Sequence, residues 1–212
     1  MSVPEGMREQ LGRRQEALDA GAEHVGWKIG LNIPEVQEQL GIEDPVLGHL
    51  TSATVVEPGG EYHAGGAGKL MAEPEVAIEL GEDRKIAGLA PAIELVDTGR
   101  PPRGEGVEGI VADNIFHSAV VLGPSRPAPP GDAVRATVFV NGEERASAEM
   151  ADDLAEVVLV AARRLAEAGE QLRSGDRIIA GSITPQVGPL SLGDEVTVEV
   201  AGLGELQVRI AA

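Results

Sequence analysis

The 212-residue sequence carries 35 acidic and 17 basic residues, and its formal net charge of −18 argues against binding to nucleic acid or anionic membranes. It contains no cysteine, which excludes a disulfide framework, a thiolate metal site and a thiol nucleophile. No segment approaches the roughly 20 apolar residues of a membrane span, and the charged N-terminus lacks the apolar run of a signal peptide. We therefore expect a cytoplasmic protein.

In chain order, the first predicted elements are two helices separated by a strand. Apolar residues at helical spacing predict a helix from Pro4 to about Ala20, which Gly21 is suited to end. A strand-like segment follows, HVGWKIGL, and a short helix then starts at Pro34 and ends at Gly41. Strand patterns separated by Gly, Pro and Asp come next, at 75–80, 92–96 and 118–122.

The C-terminal half alternates hairpin signals with one long helix. Asn141-Gly142 predicts a β-hairpin, and a broad apolar stripe predicts a helix near 153–172 with Asp152 or Asp153 as its N-cap. A strand running into a loop, RIIAGSITP, precedes a second hairpin, VTVEVAGLGELQVRI. Few long helices and many short strands predict an α+β class. Because no linker divides the chain, we expect one domain at 1–212, with a helical segment at 1–21 and a β-rich part at 22–212.

Acidic residues alternate with apolar ones in KLMAEPEVAIEL, which begins at Lys69. On a strand, Glu73, Glu75 and Glu79 share one face, and a spacing of two places neighbouring carboxylates within reach of one cation. The same alternation is typical of a half-buried strand with a solvated acidic face. Both interpretations stay open from this segment alone.

A single glutamate, Glu94, lies in an otherwise apolar strand, PAIELVD. Burying its ionised carboxylate costs several kcal/mol unless a cation or fixed donors meet it. Three glutamates without a Cys or His partner suit a hard divalent cation, Mg²⁺ or Mn²⁺, better than Zn²⁺. In the competing interpretation, Glu94 pairs with Lys28 or an arginine in a structural salt bridge.

Other candidate residues carry weaker signals. Ser182 lacks the flanking glycine of a nucleophile elbow, so the sequence gives no reason to expect a serine nucleophile. The histidines show no metal-binding spacing, and surface or core roles are favoured for His24, His49, His63 and His117.

Several motifs occur in one order: GWKIGL, PEVQEQLG, EPEVAIEL, AIELVD, VADN, GSITP and a final Gly-Asp. Together they resemble the 2-keto-4-pentenoate hydratase/2-oxo-3-hexenedioate decarboxylase family of the fumarylacetoacetate hydrolase superfamily. The resemblance runs from about Gly26 to the C-terminus. It implies a mixed, bent β-sheet roll of the fumarylacetoacetate hydrolase C-terminal type.

The resemblance also implies a site. The family's metal ligands, a Glu-x-Glu pair and a later acidic residue, match Glu73, Glu75 and Glu94, and the metal is Mg²⁺ or Mn²⁺. Lys28 matches a lysine that lies near the substrate carboxylate or enol oxygen, where it stabilises charge or relays a proton. The implied substrate-binding residues are Gly30, Leu31, Ser182 and Thr184.

The activity implied is that of a metal-dependent lyase acting on a small 2-oxo acid, as a homo-oligomer in the catabolism of aromatic compounds. The nearest reactions are hydration of 2-hydroxypenta-2,4-dienoate and decarboxylation of a 2-oxo-enedioate. Val46 stands where such hydratases commonly carry an acidic residue, Asp44 is out of register, and the N-terminal helical region is shorter than usual. These departures leave two alternatives: an acylpyruvate-type C–C bond hydrolase, or a degenerate family member without activity.

Overall fold

Two β-sheets flanked by α-helices make up the computed structural model, which describes residues 3–66, 68–127, 134–150 and 153–212. The helices are α1 (Val3–Asp19), α2 (Pro34–Leu40), α3 (Gly106–Ala112) and α4 (Leu154–Glu167). The strands are β1 (His24–Gly30), β2 (Val46–Thr51), β3 (Val55–Val56), β4 (Glu61–His63), β5 (Leu70–Leu80), β6 (Ile86–Asp97), β7 (His117–Leu122), β8 (Arg135–Val140), β9 (Glu143–Glu149), β10 (Arg177–Ile179), β11 (Glu195–Val200) and β12 (Gly204–Ala211). The predicted α+β class is confirmed.

The larger sheet has the strand order β2-β1-β10-β5-β6-β7-β3, and the smaller sheet has the order β4-β12-β11-β8-β9. The long antiparallel pair β5–β6 contacts β8, β11 and β12 of the smaller sheet. Apolar side chains from both sheets, such as Ile78 and Ile93 from one and Val138 and Val198 from the other, form the main core. One face of β5 and β6 is thereby committed to packing, and the opposite face carries the acidic residues.

The larger sheet curls strongly about that opposite face. Strands β1 and β6 are three steps apart in the sheet, which is about 14 Å in a flat sheet. Nevertheless, Lys28 of β1 forms an ion pair with Glu94 of β6. The enclosed face holds a second apolar cluster rich in small side chains: Leu50, Ala77, Ala90, Ala92, Val120 and Ile179. The bent β-sheet roll expected from the resemblance is confirmed.

Helix α1 is fastened to the roll by buried polar side chains. Gln10 donates to backbone carbonyls of β2 and α3 at 2.9 and 2.7 Å. Arg14 lies over the Trp27 ring, 4.9 Å from its centroid, and its Nη2 is 3.2 Å from His24 Nδ1. Asp176 accepts from both His24 Nε2 and Trp27 Nε1. These contacts fix α1 and β1, the strand that carries Lys28.

The predicted helices are present with two differences. Helix α4 begins after Asp153, whose side chain accepts from Ala155 N at 2.8 Å, whereas Asp152 lies outside the described residues. It ends at Glu167 rather than near 172, because Gly169 adopts a left-handed φ of 78°. The short helix α3 was not predicted; its seven residues hold too few apolar positions to show a helical period.

Both predicted hairpins are confirmed. Asn141 and Gly142 adopt φ of 55° and 77°, as a two-residue turn between β8 and β9 requires, and β11 pairs with β12. The strands expected at 75–80, 92–96 and 118–122 lie within the longer β5, β6 and β7. No helix in the described part of the chain is long and apolar enough to cross a membrane.

Candidate active site

Three glutamates from β5 and β6 converge on the enclosed face of the roll. Glu73 lies directly opposite Glu94 in the strand register, and Glu75 is two residues further along β5. One carboxylate oxygen of each glutamate lies within 4.8 Å of the others. Glu75 and Glu94 are fully buried and Glu73 is partly buried. The structure thus brings together all three predicted metal ligands, whereas Glu79 stays apart and faces Arg177 at 3.5 Å.

Fixed hydrogen bonds orient each carboxylate. Gly181 N donates to Glu75 Oε2 at 2.8 Å, and Gln186 Nε2 donates to Glu73 Oε1 at 2.6 Å. Glu94 receives its hydrogen bonds at Oε1. Oε1 of Glu75 and Oε2 of Glu94 are buried without a hydrogen-bond partner. Buried carboxyl oxygens without a hydrogen-bond partner are costly, and a cation between them would remove that cost.

Lys28 is buried beside this cluster. Its Nζ donates to Glu94 Oε1 and, at 3.1 Å, to the backbone carbonyl of Ile115. The salt bridge considered from the sequence therefore exists, but it occupies only one oxygen of Glu94. A single ammonium also neutralises only one of three carboxylates. The salt bridge and the cation site are compatible, and the geometry contains both.

The environment perturbs the acidity of all three carboxyls. Burial, reinforced by the charge of Glu94, raises the pKa of Glu73 to about 7. The same two causes raise the pKa of Glu75 well above its usual range. Burial also opposes ionisation of Glu94, but the Lys28 ammonium and the His117 hydrogen bond together hold its pKa below the usual value. Three clustered carboxylate oxygens form a donor set that fits Mg²⁺ or Mn²⁺.

His117, the first residue of β7, was missed as a functional residue by sequence reasoning. Its Nδ1 lies 2.7 Å from Glu94 Oε1, and its Nε2 lies 2.9 Å from Thr54 Oγ1. Burial lowers the pKa of His117 and so favours the neutral ring, although the Glu94 hydrogen bond opposes this shift. Since a carboxylate only accepts, Nδ1–H donates to Glu94, and Nε2 faces the Thr54 hydroxyl, which also lies 3.3 Å from the Thr51 carbonyl. The available signal was that His117 directly precedes a predicted strand, but the pairing of that strand with β6 is not visible in sequence.

The connection between α3 and β7 has an unusual backbone. Asn114, Ile115 and Phe116 have φ of 57°, 54° and 59°, and we call them the left-handed turn. Non-glycine residues in this region each cost about 1 to 3 kcal/mol and cluster at functional sites. The Ile115 carbonyl of this turn receives the Lys28 hydrogen bond. Backbone strain is therefore stored next to the candidate site.

A cavity of about 490 Å³ opens beside the carboxylates. The predicted site residues that line it are Lys28, Gly30, Leu31, Glu73, Ser182 and Thr184. Much of the remaining wall is apolar: Ile29, Ile33, Val36, Val96, Ile115, Phe116 and Pro185. Among the described lining residues, Lys28 is the only cation.

The two hydroxyl groups in the cavity wall are held by the backbone. Ser182 Oγ donates to the Thr184 carbonyl at 2.7 Å, and Thr184 Oγ1 donates to the Pro185 carbonyl at 2.9 Å. Ser182 therefore has no neighbouring base among its described contacts, in agreement with the sequence argument against a serine nucleophile. Each hydroxyl oxygen keeps its lone pairs, and the 181–186 loop also presents the Gly181 and Gln186 donors to the carboxylates.

Near the start of β2 the sequence departs from the family pattern at Val46, with Asp44 out of register. Neither residue places a carboxylate in this cavity. Val46 is buried in β2, paired with Gly30. Asp44 forms ion pairs with Arg163 at 2.9 Å and Arg164 at 3.2 Å, outside the cavity lining. The position at which the resemblance leads us to expect an acidic residue is thus filled by an aliphatic side chain.

The site is therefore a curled β-sheet that directs three carboxylates to one point. Residues 27–211 match the family model described as Fumarylacetoacetate (FAA) hydrolase C-terminal. Because this match covers most of the chain, the chain belongs to the fumarylacetoacetate hydrolase family.

Individual relatives include enzymes of two reaction types. The chain is 32% identical over 219 residues to the TodF product hydratase of Pseudomonas putida F1, covering 93% of this chain and 80% of the relative. It is 30% identical to a 4-oxalocrotonate decarboxylase of a Pseudomonas species, covering 89% and 79%. A solved structure of 4-oxalocrotonate decarboxylase from Pseudomonas putida G7, complexed with magnesium and adipate, has the same fold with a TM-score of 0.89 at 24% identity, covering 99% of this chain and 86% of that chain.

Proposed function

We propose that this protein is a divalent-metal-dependent lyase acting on a small 2-oxo acid. The observation that carries the proposal is the convergence of Glu73, Glu75 and Glu94, with two unpartnered buried carboxylate oxygens, beside a cavity. The similarity to a hydratase and to decarboxylases supports a lyase, and the decarboxylase of the same fold holds magnesium. The pathway that fits these relatives is the catabolism of aromatic compounds.

Glu73, Glu75 and Glu94 would hold Mg²⁺ or Mn²⁺. Such an ion polarises the carboxylate and 2-oxo oxygens of a 2-oxo acid and so favours enolisation. The protein's own part is to orient the three carboxylates through Gly181 and Gln186, and to keep the site largely out of water.

Lys28 is the residue that would act on the substrate. An ammonium has three N–H donors, and Glu94 and the Ile115 carbonyl engage two of them. The third is left for a substrate carboxylate or enol oxygen in the cavity that Lys28 lines. With Val46 in place of an acidic residue, Lys28 is also the cavity group that we assign to proton transfer. Contacts from Gly30, Leu31, Ser182 and Thr184 would complete substrate binding.

The cavity wall favours a substrate with one carboxylate. A 2-oxo-enedioate carries a second carboxylate at its far end, which would meet no second cation among the described lining residues: Lys28 is already engaged, and Asn32, Thr98 and Gln186 are uncharged. A 2-hydroxydienoate ends in an uncharged carbon chain that this wall can bury. Hydration would place the hydroxyl of water on C4, and the remaining proton of water and the proton lost from the 2-hydroxyl group would balance the hydrogens gained at C3 and C5, giving a 4-hydroxy-2-oxo acid. We therefore favour hydration of a 2-hydroxypenta-2,4-dienoate over decarboxylation.

Two alternatives to a lyase were considered from the sequence: an acylpyruvate-type C–C bond hydrolase and a degenerate family member without activity. Hydrolysis of an acylpyruvate uses the same metal and yields two acids, so product analysis separates it from hydration. A degenerate member without activity is disfavoured, because three carboxylates, Lys28 and the cavity are all retained.

The direct test is turnover with purified protein and Mg²⁺ or Mn²⁺. We expect loss of the dienol ultraviolet absorbance with 2-hydroxypenta-2,4-dienoate, abolished by a chelator and by Glu94→Gln. No turnover of this substrate, of a 2-oxo-enedioate or of an acylpyruvate would contradict the proposal, as would full activity of Glu94→Gln.

Three further expectations from the sequence stay predictions: a cytoplasmic location, a homo-oligomer, and a single catalytic domain over 1–212. A small 2-oxo acid, rather than nucleic acid or a membrane, is the partner that we propose.

A further inference from the structure

The left-handed turn is the most strained segment next to the site. Three consecutive non-glycine residues, Asn114 to Phe116, have φ between 54° and 59°. Side chains of L-residues disfavour this region, which is visited by single residues rather than by runs. Ile115 is β-branched and so is especially disfavoured there. The turn can persist only if surrounding contacts hold it.

The Asn114 side chain supplies such a contact. Its Oδ1 accepts from His49 N at 2.8 Å, and its Nδ2 donates to the His49 carbonyl at 3.0 Å. This clamp joins the turn to β2, an edge strand of the larger sheet. A Cβ at the neighbouring Gly48 would lie 2.6 Å from Asn114 Oδ1, so the clamp needs glycine at that position.

The left-handed turn also lies against Lys28 and the strand that carries it. The Ile115 carbonyl accepts from Lys28 Nζ at 3.1 Å, and the Ile115 side chain covers Gly30, where a Cβ would approach to 2.9 Å. On the other side, a Cβ at Gly48 would lie 2.6 Å from Lys28 Cγ. The lysine stem therefore passes through a narrow passage between β2 and the turn, and its ammonium ends on a carbonyl that the turn presents.

We infer that the left-handed turn is a positioning device for Lys28 and that Asn114 is its positioning residue. By clamping both backbone groups of His49, Asn114 holds the Ile115 carbonyl on the ammonium. Two of the three N–H donors of Lys28 Nζ are then fixed, so the third N–H can point in only one direction. The inference rests on the proposed function only in taking a 2-oxo acid as the target of that third donor.

Asn114→Gly tests this role with a matched control. Glycine accepts positive φ, so this substitution removes the clamp without adding backbone strain. Asn141→Gly is the control, because Asn141 has φ of 55°, donates to Asp194 Oδ1 at 2.8 Å and accepts from Glu195 N at 3.0 Å, far from the site. Both variants should lose a comparable amount of thermal stability.

The readout is calorimetric binding of Mg²⁺ alone and then of oxalate with Mg²⁺ present. We expect Asn114→Gly to raise the Kd of oxalate roughly tenfold or more while changing the Kd of Mg²⁺ by less than about twofold. Asn141→Gly should change neither. Equal effects of the two variants on oxalate binding would overturn the inference.

A double-mutant cycle with Lys28→Met shows whether Asn114 acts through the lysine. In the Lys28→Met background, Asn114→Gly should weaken oxalate binding no further, and a full additional loss would overturn the inference. If the wild type binds no oxalate with Mg²⁺, the proposed function fails. The same cycle measured by urea unfolding then decides the positioning role, with non-additivity expected and additivity contradicting it. Should Asn114→Gly not fold, Asn114→Asp keeps the Oδ1 acceptor, loses the donor, and should show a smaller shift of the same kind.

Discussion

Glu73 and Glu94 lie directly opposite each other on the paired strands β5 and β6, with buried Glu75 beside them. Like charges at directly opposed positions destabilise a sheet. The arrangement is therefore unfavourable for folding by itself, and it becomes favourable when a cation is bound between the carboxylates. The carboxylate cluster is therefore expected to lower the stability of the metal-free fold and to raise it when a metal ion is bound.

Glu75→Gln should separate stability from metal binding. Glutamine keeps the acceptor for Gly181 N but removes a carboxyl group that could ionise and bind a cation. We expect the variant without metal to be at least as stable as the wild type in urea unfolding. Mg²⁺ at about 100 times its Kd should stabilise the wild type by about 2.7 kcal/mol, a Tm rise of roughly 5 to 10 °C, and should leave Glu75→Gln unchanged.

Glu79→Gln is the control for this experiment. Glu79 lies on the same strand but outside the cluster, against Arg177. Its replacement should leave the Mg²⁺ response intact. An undiminished response in Glu75→Gln, or a lost one in Glu79→Gln, would refute the assignment of ligands.

Removing His117 should weaken metal binding without touching a ligand. The His117 ring fixes Glu94 through Nδ1 and is itself fixed by Thr54. Partners that orient metal ligands typically contribute 10- to 100-fold to metal affinity, so His117→Ala should raise the Kd of Mn²⁺ by roughly that factor. His63→Ala, at a histidine on the smaller sheet, is the control and should bind Mn²⁺ normally. Equal affinity of the two variants would show that His117 has no such role.

The apolar cavity wall should discriminate between acids that differ only at the far end. We expect 2-oxohexanoate to bind in the presence of Mg²⁺ more tightly than 2-oxoadipate, which has a carboxylate in place of the terminal methyl group. The reason is that Lys28 is the only cation among the described lining residues and already pairs with Glu94. Burial of an unpaired carboxylate should cost about tenfold or more in affinity. Tighter binding of 2-oxoadipate in calorimetry would favour a decarboxylase instead.

Asp97 should stabilise the fold by joining the segment before β5 to the turn after β6. It is buried and accepts from Gly68 N at 3.0 Å, Lys69 N at 2.8 Å and Gly99 N at 3.0 Å. Burial opposes its ionisation, but these three donors outweigh burial and lower the pKa of Asp97. Asp97→Asn replaces one acceptor oxygen with a donor and should lower the free energy of unfolding by about 1 to 3 kcal/mol.

The lowered pKa of Asp97 also gives the sign of its pH dependence. Because the folded-state pKa lies below the unfolded value near 3.9, its stabilisation is fully present above that value and is lost as pH falls through the folded pKa. The difference in stability between wild type and Asp97→Asn should therefore shrink below about pH 4. Asp19→Asn, at an exposed position, should change stability by less than about 0.5 kcal/mol. A difference that persists unchanged into strong acid would contradict this explanation.

Local sequence patterns were sufficient to predict part of the site. The alternation in β5 placed Glu73 and Glu75 on one face, and the apolar surroundings of Glu94 indicated that it needs a partner. Local turn chemistry likewise predicted the Asn141-Gly142 hairpin and the end of α2 at Gly41. These features depend on residues within a few positions of one another.

The remainder depends on contacts between distant segments. The register that opposes Glu73 to Glu94, the approach of His117 to Glu94, and the clamp between Asn114 and His49 arise from strand pairing and from the curl of the sheet. No local pattern encodes the left-handed turn, because its strain is supported by β2, a segment far away in sequence. The resemblance to the family supplied the ligand set but not these supporting contacts.

Anomalous diffraction from crystals soaked with Mn²⁺ and oxalate would show whether the three glutamates hold a metal ion. We expect one strong manganese peak bound by carboxylate oxygens of Glu73, Glu75 and Glu94, with oxalate on its open positions and Lys28 Nζ in contact with oxalate. Manganese bound elsewhere, or a carboxylate cluster that excludes the ion while Lys28 remains closed onto Glu94, would contradict this expectation.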